Sequence, residues 1–198
     1  MFDTYYAPAN LFAMGIVFLC WIELAIVTLT SRRANKGETP GKAKRDNRSI
    51  LGVALQGAAV GLVWVGPIRA EGGLTGASIL AGLPAAAVGI LSVALFIWSA
   101  RTMGANWALV ARTRDDHRLV ETGPFAIMRN PIYVALFGLM AATALAFGHA
   151  VMLAFAMPVY VAGTLVRVLI EEKLLRAAFG AAYDDYAKRV KRFIPHVI

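Results

Sequence analysis

The chain has a single cysteine, Cys20, set inside an apolar run, and only three histidines. An intrachain disulfide is impossible, and a cysteine-based zinc cluster is excluded. Charge is scarce as well. Asp, Glu, Lys and Arg make up 16% of the residues, against about 25% in soluble domains. No Gly-x-Gly-x-x-Gly follows a strand pattern, which excludes the soluble dinucleotide-type cofactor fold. Acidic side chains number 12 against 20 basic ones, a net charge of +8. Such an excess can signal nucleic acid, but here the basic residues flank apolar runs. No basic, aromatic-interleaved soluble segment exists, so nucleic acid is not a partner. The first ten residues lack Lys and Arg and carry Asp3. The apolar run behind them, about 20 residues, exceeds the roughly 7–15 of a signal-peptide core, so it reads as a retained helix.

What the chain has in abundance is hydropathy: 59% hydrophobic residues and a mean hydropathy of +0.62. Five apolar stretches stand out, at 10–30, 50–68, 77–98, 132–147 and 150–170. A run of 20 residues at ~1.5 Å each covers roughly 30 Å, the thickness of a bilayer core. The expected fold is all-α and integral to the membrane, with about five transmembrane helices. It forms one membrane-embedded domain: a three-helix N-terminal part, 1–98, and a catalytic, cofactor-binding part, 99–198. Residues 31–49 are polar and lack periodicity, so they read as a loop. In the tail, Leu175, Phe179, Tyr183, Tyr186 and Val190 recur at helical spacing. That stripe predicts a C-terminal amphipathic helix lying on the membrane surface.

With five spans, every Lys and Arg except Arg69 falls on one side. The positive-inside rule then puts the N-terminus outside and the tail in the cytoplasm. Abundant Ala and Gly suggest a prokaryotic cell membrane.

Ionisable groups concentrate at that cytoplasmic face. Arg167 lies within the last apolar span, four residues before Glu171 and therefore on the same helix face. An ionisable residue at membrane depth points to function, although Arg167 could also snorkel outward and pair with Glu171. Glu172 has two readings too, a site residue or an i,i+4 partner of Arg176. Between spans three and four, residues 101–131 are too polar to span and too long for an idle connector. They hold His117 and, at the mouth of span four, Arg129-Asn130-Pro131-Ile132-Tyr133. Pro131 suits a first helical turn, and the free N–H groups of that turn can bind an anion. Glu23, within span one, either lines an acceptor tunnel or faces another helix. Trp21, Trp64, Trp98 and Trp107 read as interface anchors or packing.

The order of these pieces carries a resemblance. His117-Arg118-Leu119-Val120-Glu121-Thr122-Gly123-Pro124-Phe125, then Arg129-Asn130-Pro131-Ile132-Tyr133, then Glu171-Glu172, then Phe179-Gly180-Ala181-Ala182-Tyr183-Asp184-Asp185-Tyr186, resembles the membrane methyltransferases typified by isoprenylcysteine carboxyl methyltransferase. Phospholipid N-methyltransferases share much of it. The likeness covers about 104–195. It implies that His117, Arg118, Leu119 and Val120 touch S-adenosylmethionine, joined by Phe125 where relatives carry tyrosine. Asn130, Pro131, Ile132 and Tyr133 match a His-Pro-x-Tyr element, with Asn130 in place of the histidine. Val110 falls where some relatives place a polar contact. Glu171 matches the family's cofactor-binding glutamate. Arg167 matches the arginine facing the methyl acceptor, and Arg129 is a second substrate-side cation. Arg167 and Glu171 form the catalytic pair.

The activity this implies is S-adenosylmethionine-dependent methyl transfer, with S-adenosylhomocysteine as product and no metal. The acceptor is lipophilic and reached from the membrane lipids, a small molecule or a prenylated group. Carboxyl O-methylation of an isoprenylcysteine-type group is the leading reaction and phospholipid amine N-methylation the alternative. Prenylated protein ends are not expected in prokaryotes, which leaves room for another amphiphile. A non-enzymatic scaffold or transporter is the reading of another class. A transporter, however, places polar residues at the midplane within internal repeats, and this chain gathers them at one face.

Overall fold

A computed structural model describes residues 6–34, 44–45, 48–70, 73–104, 112–113, 119–195 and 197. His117 and Arg118, with Trp107 and Val110, lie outside the described residues. The apolar stretches are helical because a segment without water must satisfy its own N–H and C=O groups. They are α1 (Leu11–Ala34), α2 (Ser49–Val63), α3 (Gly76–Met103), α4 (Pro131–Ala146) and α5 (Ala150–Phe179), followed by α6 (Ala181–Arg189). α1, α3 and α5 are long and apolar enough to cross a membrane. α2 and α4 are apolar but have 15 and 16 residues, roughly 22–24 Å of helix. Phe18, Leu19, Leu80 and Leu91 turn outward from the bundle, as side chains facing lipid must.

Several boundaries differ from the sequence reading. The second apolar stretch, expected to reach residue 68, stops being helical at Val63, ahead of Gly66 at φ 145 and Pro67. The fifth, expected to end at 170, runs on to Phe179 and stops only at Gly180, whose φ of 53 breaks the helix. Residues 31–49 are not loop throughout. Lys44–Arg45 (β1) pairs antiparallel with Arg112–Thr113 (β2). A two-residue ladder leaves no side-chain periodicity to read.

α2 packs chiefly on α5, while α3 lies between α1 and α4. The α2–α5 contact depends on glycine. A Cβ on Gly163 would stand 2.8 Å from the Gly52 carbonyl oxygen and 2.8 Å from Leu55 Cβ. A Cβ on Gly52 would meet the stem of Arg167. The two helices thus close far enough for α2 to touch the polar side chains of α5.

The bundle has two distinct ends. At one, Ala7 N–H donates to Gly148 C=O and Ala9 N–H to Arg69 C=O. There His149, fully buried, sets Nδ1 at 2.8 Å from the Val63 carbonyl. A carbonyl only accepts, so Nδ1 carries the hydrogen, tying the α4–α5 turn to the end of α2. At the other end, β1 meets β2, and Arg129 N–H and Asn130 N–H donate to the Lys191 and Arg192 carbonyls. The amphipathic C-terminal helix is present as α6, but its apolar face does not lie open to lipid. Tyr183, Tyr186 and Val190 are buried against Leu175, Phe179 and Leu119. Gly180 bends the chain between the two halves of the stripe and folds it onto protein.

Candidate active site

The second end gathers the ionisable residues into two adjoining networks. The first is centred on Arg167, 6% exposed. One guanidinium nitrogen donates to Glu171 Oε1 at 3.1 Å, the i,i+4 contact that the spacing predicts. Tyr133, from the first turn of α4, donates its hydroxyl to the same oxygen at 2.6 Å. Its ring lies under the guanidinium, 5.1 Å from the carbon to the centroid, a cation–π stack. The Tyr160 hydroxyl donates to the Tyr133 carbonyl at 2.8 Å, fixing that turn to α5. From α2 comes a side chain with no motif to announce it. Gln56 is buried, donates from Nε2 to Thr164 Oγ1 at 2.9 Å, and accepts from Arg167 at 3.5 Å. It is the one polar side chain of α2 beyond Ser49, and an isolated polar residue in an apolar helix is the signal that identifies it.

The second network is centred on Glu172, 3% exposed. Arg192 grips it with two parallel hydrogen bonds of 2.8 and 2.9 Å. Arg129 approaches at 3.3 Å and Arg176 at 3.7 Å. The i,i+4 contact with Arg176 exists, but it is the longest of these. The main partner comes from the tail, twenty residues on. Arg129 also donates to the Tyr183 hydroxyl at 3.2 Å. Burial raises the tyrosine's pKa, so its hydroxyl stays protonated and accepts through its lone pairs. Arg192 in turn has its pKa raised by the Glu172 hydrogen bond.

The other positions singled out in the sequence take different places. Phe125 is buried in a 3-10 turn, Gly123–Ala126, whose carbonyl accepts from Tyr186. Leu119 packs on the tail cluster and Val120 is half-buried. Ile132 packs on the Phe96–Ala100–Ala135 cluster, and Pro131 is fully buried. Asn130 directs its N–H and its Nδ2 to the Arg192 carbonyl, so here it fastens the tail. Tyr133 N–H is drawn onto the Asn130 carbonyl at 3.2 Å. The fan of free N–H groups expected at this helix start is smaller than the sequence suggests, because the first turn tightens. Glu23 is exposed on α1.

A zwitterionic, ribose-bearing cofactor needs an acceptor for its ammonium or sugar hydroxyls, and aromatic or apolar walls. Glu171 meets the first need. Both of its donors use Oε1, its side chain is 26% exposed, and Oε2 bonds to no described residue. Arg129 Nε is buried without a hydrogen-bond partner among the described residues. The donor set fits such a cofactor.

This arrangement of membrane helices defines an intramembrane methyltransferase fold. The structure resembles that of the eukaryotic intramembrane Ras methyltransferase ICMT (isoprenylcysteine carboxyl methyltransferase), with a TM-score of 0.53 and 24% identity, over 75% of this chain and 52% of that one. At that identity the likeness is one of fold. The sequence profile of the phospholipid methyltransferase family matches residues 78–182, more than half of the chain, and the chain belongs to that family. It is also 35% identical over 114 residues to the nickel-cobalt-cadmium resistance protein NccN of Alcaligenes xylosoxydans xylosoxydans, covering 54% of this chain and 51% of that protein. To the cobalt-zinc-cadmium resistance protein CzcN of Cupriavidus metallidurans it is 33% identical over 114 residues, covering 54% and 50%. The chain spans about half the length of the curated relatives it matches. Among the described residues, no three His, Cys, Asp or Glu side chains gather as a metal site.

Proposed function

We propose that the protein transfers a methyl group from S-adenosylmethionine to an anionic oxygen, a carboxylate, of a lipophilic acceptor. The observation that carries this reading is the buried Arg167 guanidinium, stacked on Tyr133 and bonded to Glu171 at the cytoplasmic end of the bundle. When bound, the cofactor supplies an activated methyl group on a sulfonium. Glu171 Oε2 would hold its ammonium or ribose hydroxyls, with Phe125, Tyr133 and the His117–Val120 strip beside it, and Arg129 would stand on the acceptor side. Arg167 orients the acceptor's carboxylate, which its planar fork matches better than a lysine would. Burial keeps water from the reacting groups and strengthens the Arg167 contact. An already anionic oxygen requires no base.

Amine methylation would require one, because an alkylammonium must first lose a proton. Glu171 Oε1 already accepts from two donors, and in this reading Oε2 is given to the cofactor. The buried Arg167 guanidinium attracts a carboxylate and repels an alkylammonium. This favours the carboxylate over the phospholipid amine. An isoprenylcysteine-type group is one such acceptor. Both parts of the chain serve the site, with Gln56 from 1–98 and the rest from 99–198, as in a single membrane-embedded domain.

Glu171→Gln is expected to weaken S-adenosylhomocysteine binding about ten-fold or more, since hydrogen bonds to a charged group contribute roughly 1.5–3 kcal/mol. Calorimetry on purified protein measures it. Parent-like affinity would remove Glu171 from the cofactor site.

Five crossings, with the N-terminus outside and the site in the cytoplasm, agree with the two ends of the bundle. Arg69 lies at one end, and β2, Arg129 and Arg192 lie at the other. Thiol labelling of intact cells is expected to reach Gly73→Cys and not Thr113→Cys. Equal labelling of both from outside would refute the topology.

A further inference from the structure

We infer that Gln56 sets the charge preference of the methyl acceptor by holding Arg167 with a neutral partner; this rests on the carboxylate-methylating reading above. Gln56 lies on α2, outside the 78–182 stretch that the family profile matches. Its amide has one orientation. A guanidinium only donates, so Oε1 faces Arg167, 3.5 Å away, and Nε2 donates to Thr164 Oγ1 at 2.9 Å. Gly52 and Gly163 bring α2 close enough for this contact, and both positions lack room for a Cβ. The Gln56 contact is long for a hydrogen bond, whereas the Glu171 contact on the other nitrogen is 3.1 Å. A carboxylate oxygen from an acceptor can therefore displace the amide oxygen while the Glu171 contact is kept.

The charges fit that exchange. Arg167 and Glu171 carry opposite charges, and the Gln56 amide carries none. A carboxylate at position 56 would supply a built-in anion where the acceptor's belongs. At an effective dielectric of about 20, a second negative charge within several ångströms disfavours an anionic acceptor by on the order of 100-fold. The same change makes the site hospitable to a cationic or neutral acceptor. Gln56 is a positioning residue, acting through Arg167.

The test uses the purified full chain in lipid nanodiscs with methyl-labelled S-adenosylmethionine and a total lipid extract from a bacterial membrane. Methyl esters release labelled methanol in alkali, whereas N-methyl groups stay on the lipid. S-adenosylhomocysteine affinity is measured on each preparation. The parent is expected to give alkali-labile label. Gln56→Glu should lower that label ten- to 100-fold, mainly by raising the extract concentration for half-maximal rate, with S-adenosylhomocysteine affinity unchanged. Gln56→Leu removes the amide without adding charge and should lose less than ten-fold. If Gln56→Glu keeps the parent's acceptor dependence, or Gln56→Leu falls as far as Gln56→Glu, the charge assignment is overturned. Loss of S-adenosylhomocysteine binding in Gln56→Glu would make the residue part of the fold and overturn it too. A parent that yields only alkali-stable label, or none, overturns the carboxylate reading itself and this inference with it.

Discussion

Glu172→Ala is expected to destabilise the folded protein by about 3 kcal/mol or more, the range found when one partner of a buried ion pair is removed. Glu172 is 3% exposed and faces three arginines. Without it, the Arg129 guanidinium is left buried with the Tyr183 hydroxyl as its one hydrogen-bond partner among the described residues, and Arg192 loses both bonds of its fork. The tail segment around Lys191 and Arg192, which carries the backbone strap to Arg129 and Asn130, loses its side-chain anchor. The fitting control is Asp185→Ala. Its pair with Lys188 is exposed, so its loss should cost little. Thermal unfolding in detergent compares the two. Equal melting temperatures for Glu172→Ala and Asp185→Ala would show that the arginine cluster does not hold the fold.

Arg167→Ala is expected to reduce methyl transfer ~10–100-fold while leaving S-adenosylhomocysteine affinity within a few-fold of the parent. A charge-assisted contact to an acceptor carboxylate in a partly dry site contributes roughly 1.5–3 kcal/mol, and 1.4 kcal/mol is a factor of ten. Glu171 keeps its hydrogen bond from Tyr133, 2.6 Å long, so the cofactor side of the pair remains held. Arg167→Lys retains the charge but cannot reach both Glu171 and the Gln56 side as a planar fork does, and should be partly impaired. Rates and cofactor affinities taken on the same preparations separate the roles. If cofactor binding falls in step with activity in Arg167→Ala, the residue serves the cofactor or the fold. If both variants transfer methyl groups normally, Arg167 is a snorkelling side chain.

The membrane class, the apolar helices and the neighbouring positions of Arg167 and Glu171 were legible in the sequence. Hydropathy and an i,i+4 spacing are local properties, and local properties survive the removal of everything else. The Tyr133 contact with Glu171 could be expected only through the family resemblance, because it joins residues 38 positions apart. Gln56 and Arg192 were not foreseen. Each meets its partner through a tertiary approach: α2 on α5 across two glycines, and the tail folded back across the start of α4.

The sequence alone determined that this chain belongs in a bilayer, since no arrangement of so many apolar side chains with so few charges could bury them all in water. It also determined which end carries the charge, because basic residues sit where the apolar runs stop. The spacing already put Glu171, not Glu172, on the Arg167 face; only the tertiary structure decided what each carboxylate meets across the bundle. Glu171 and Glu172 are chemically identical and one residue apart, but a helix turns about 100° per residue. That rotation points one carboxylate at Tyr133 and Arg167 and the other at the arginines of the tail.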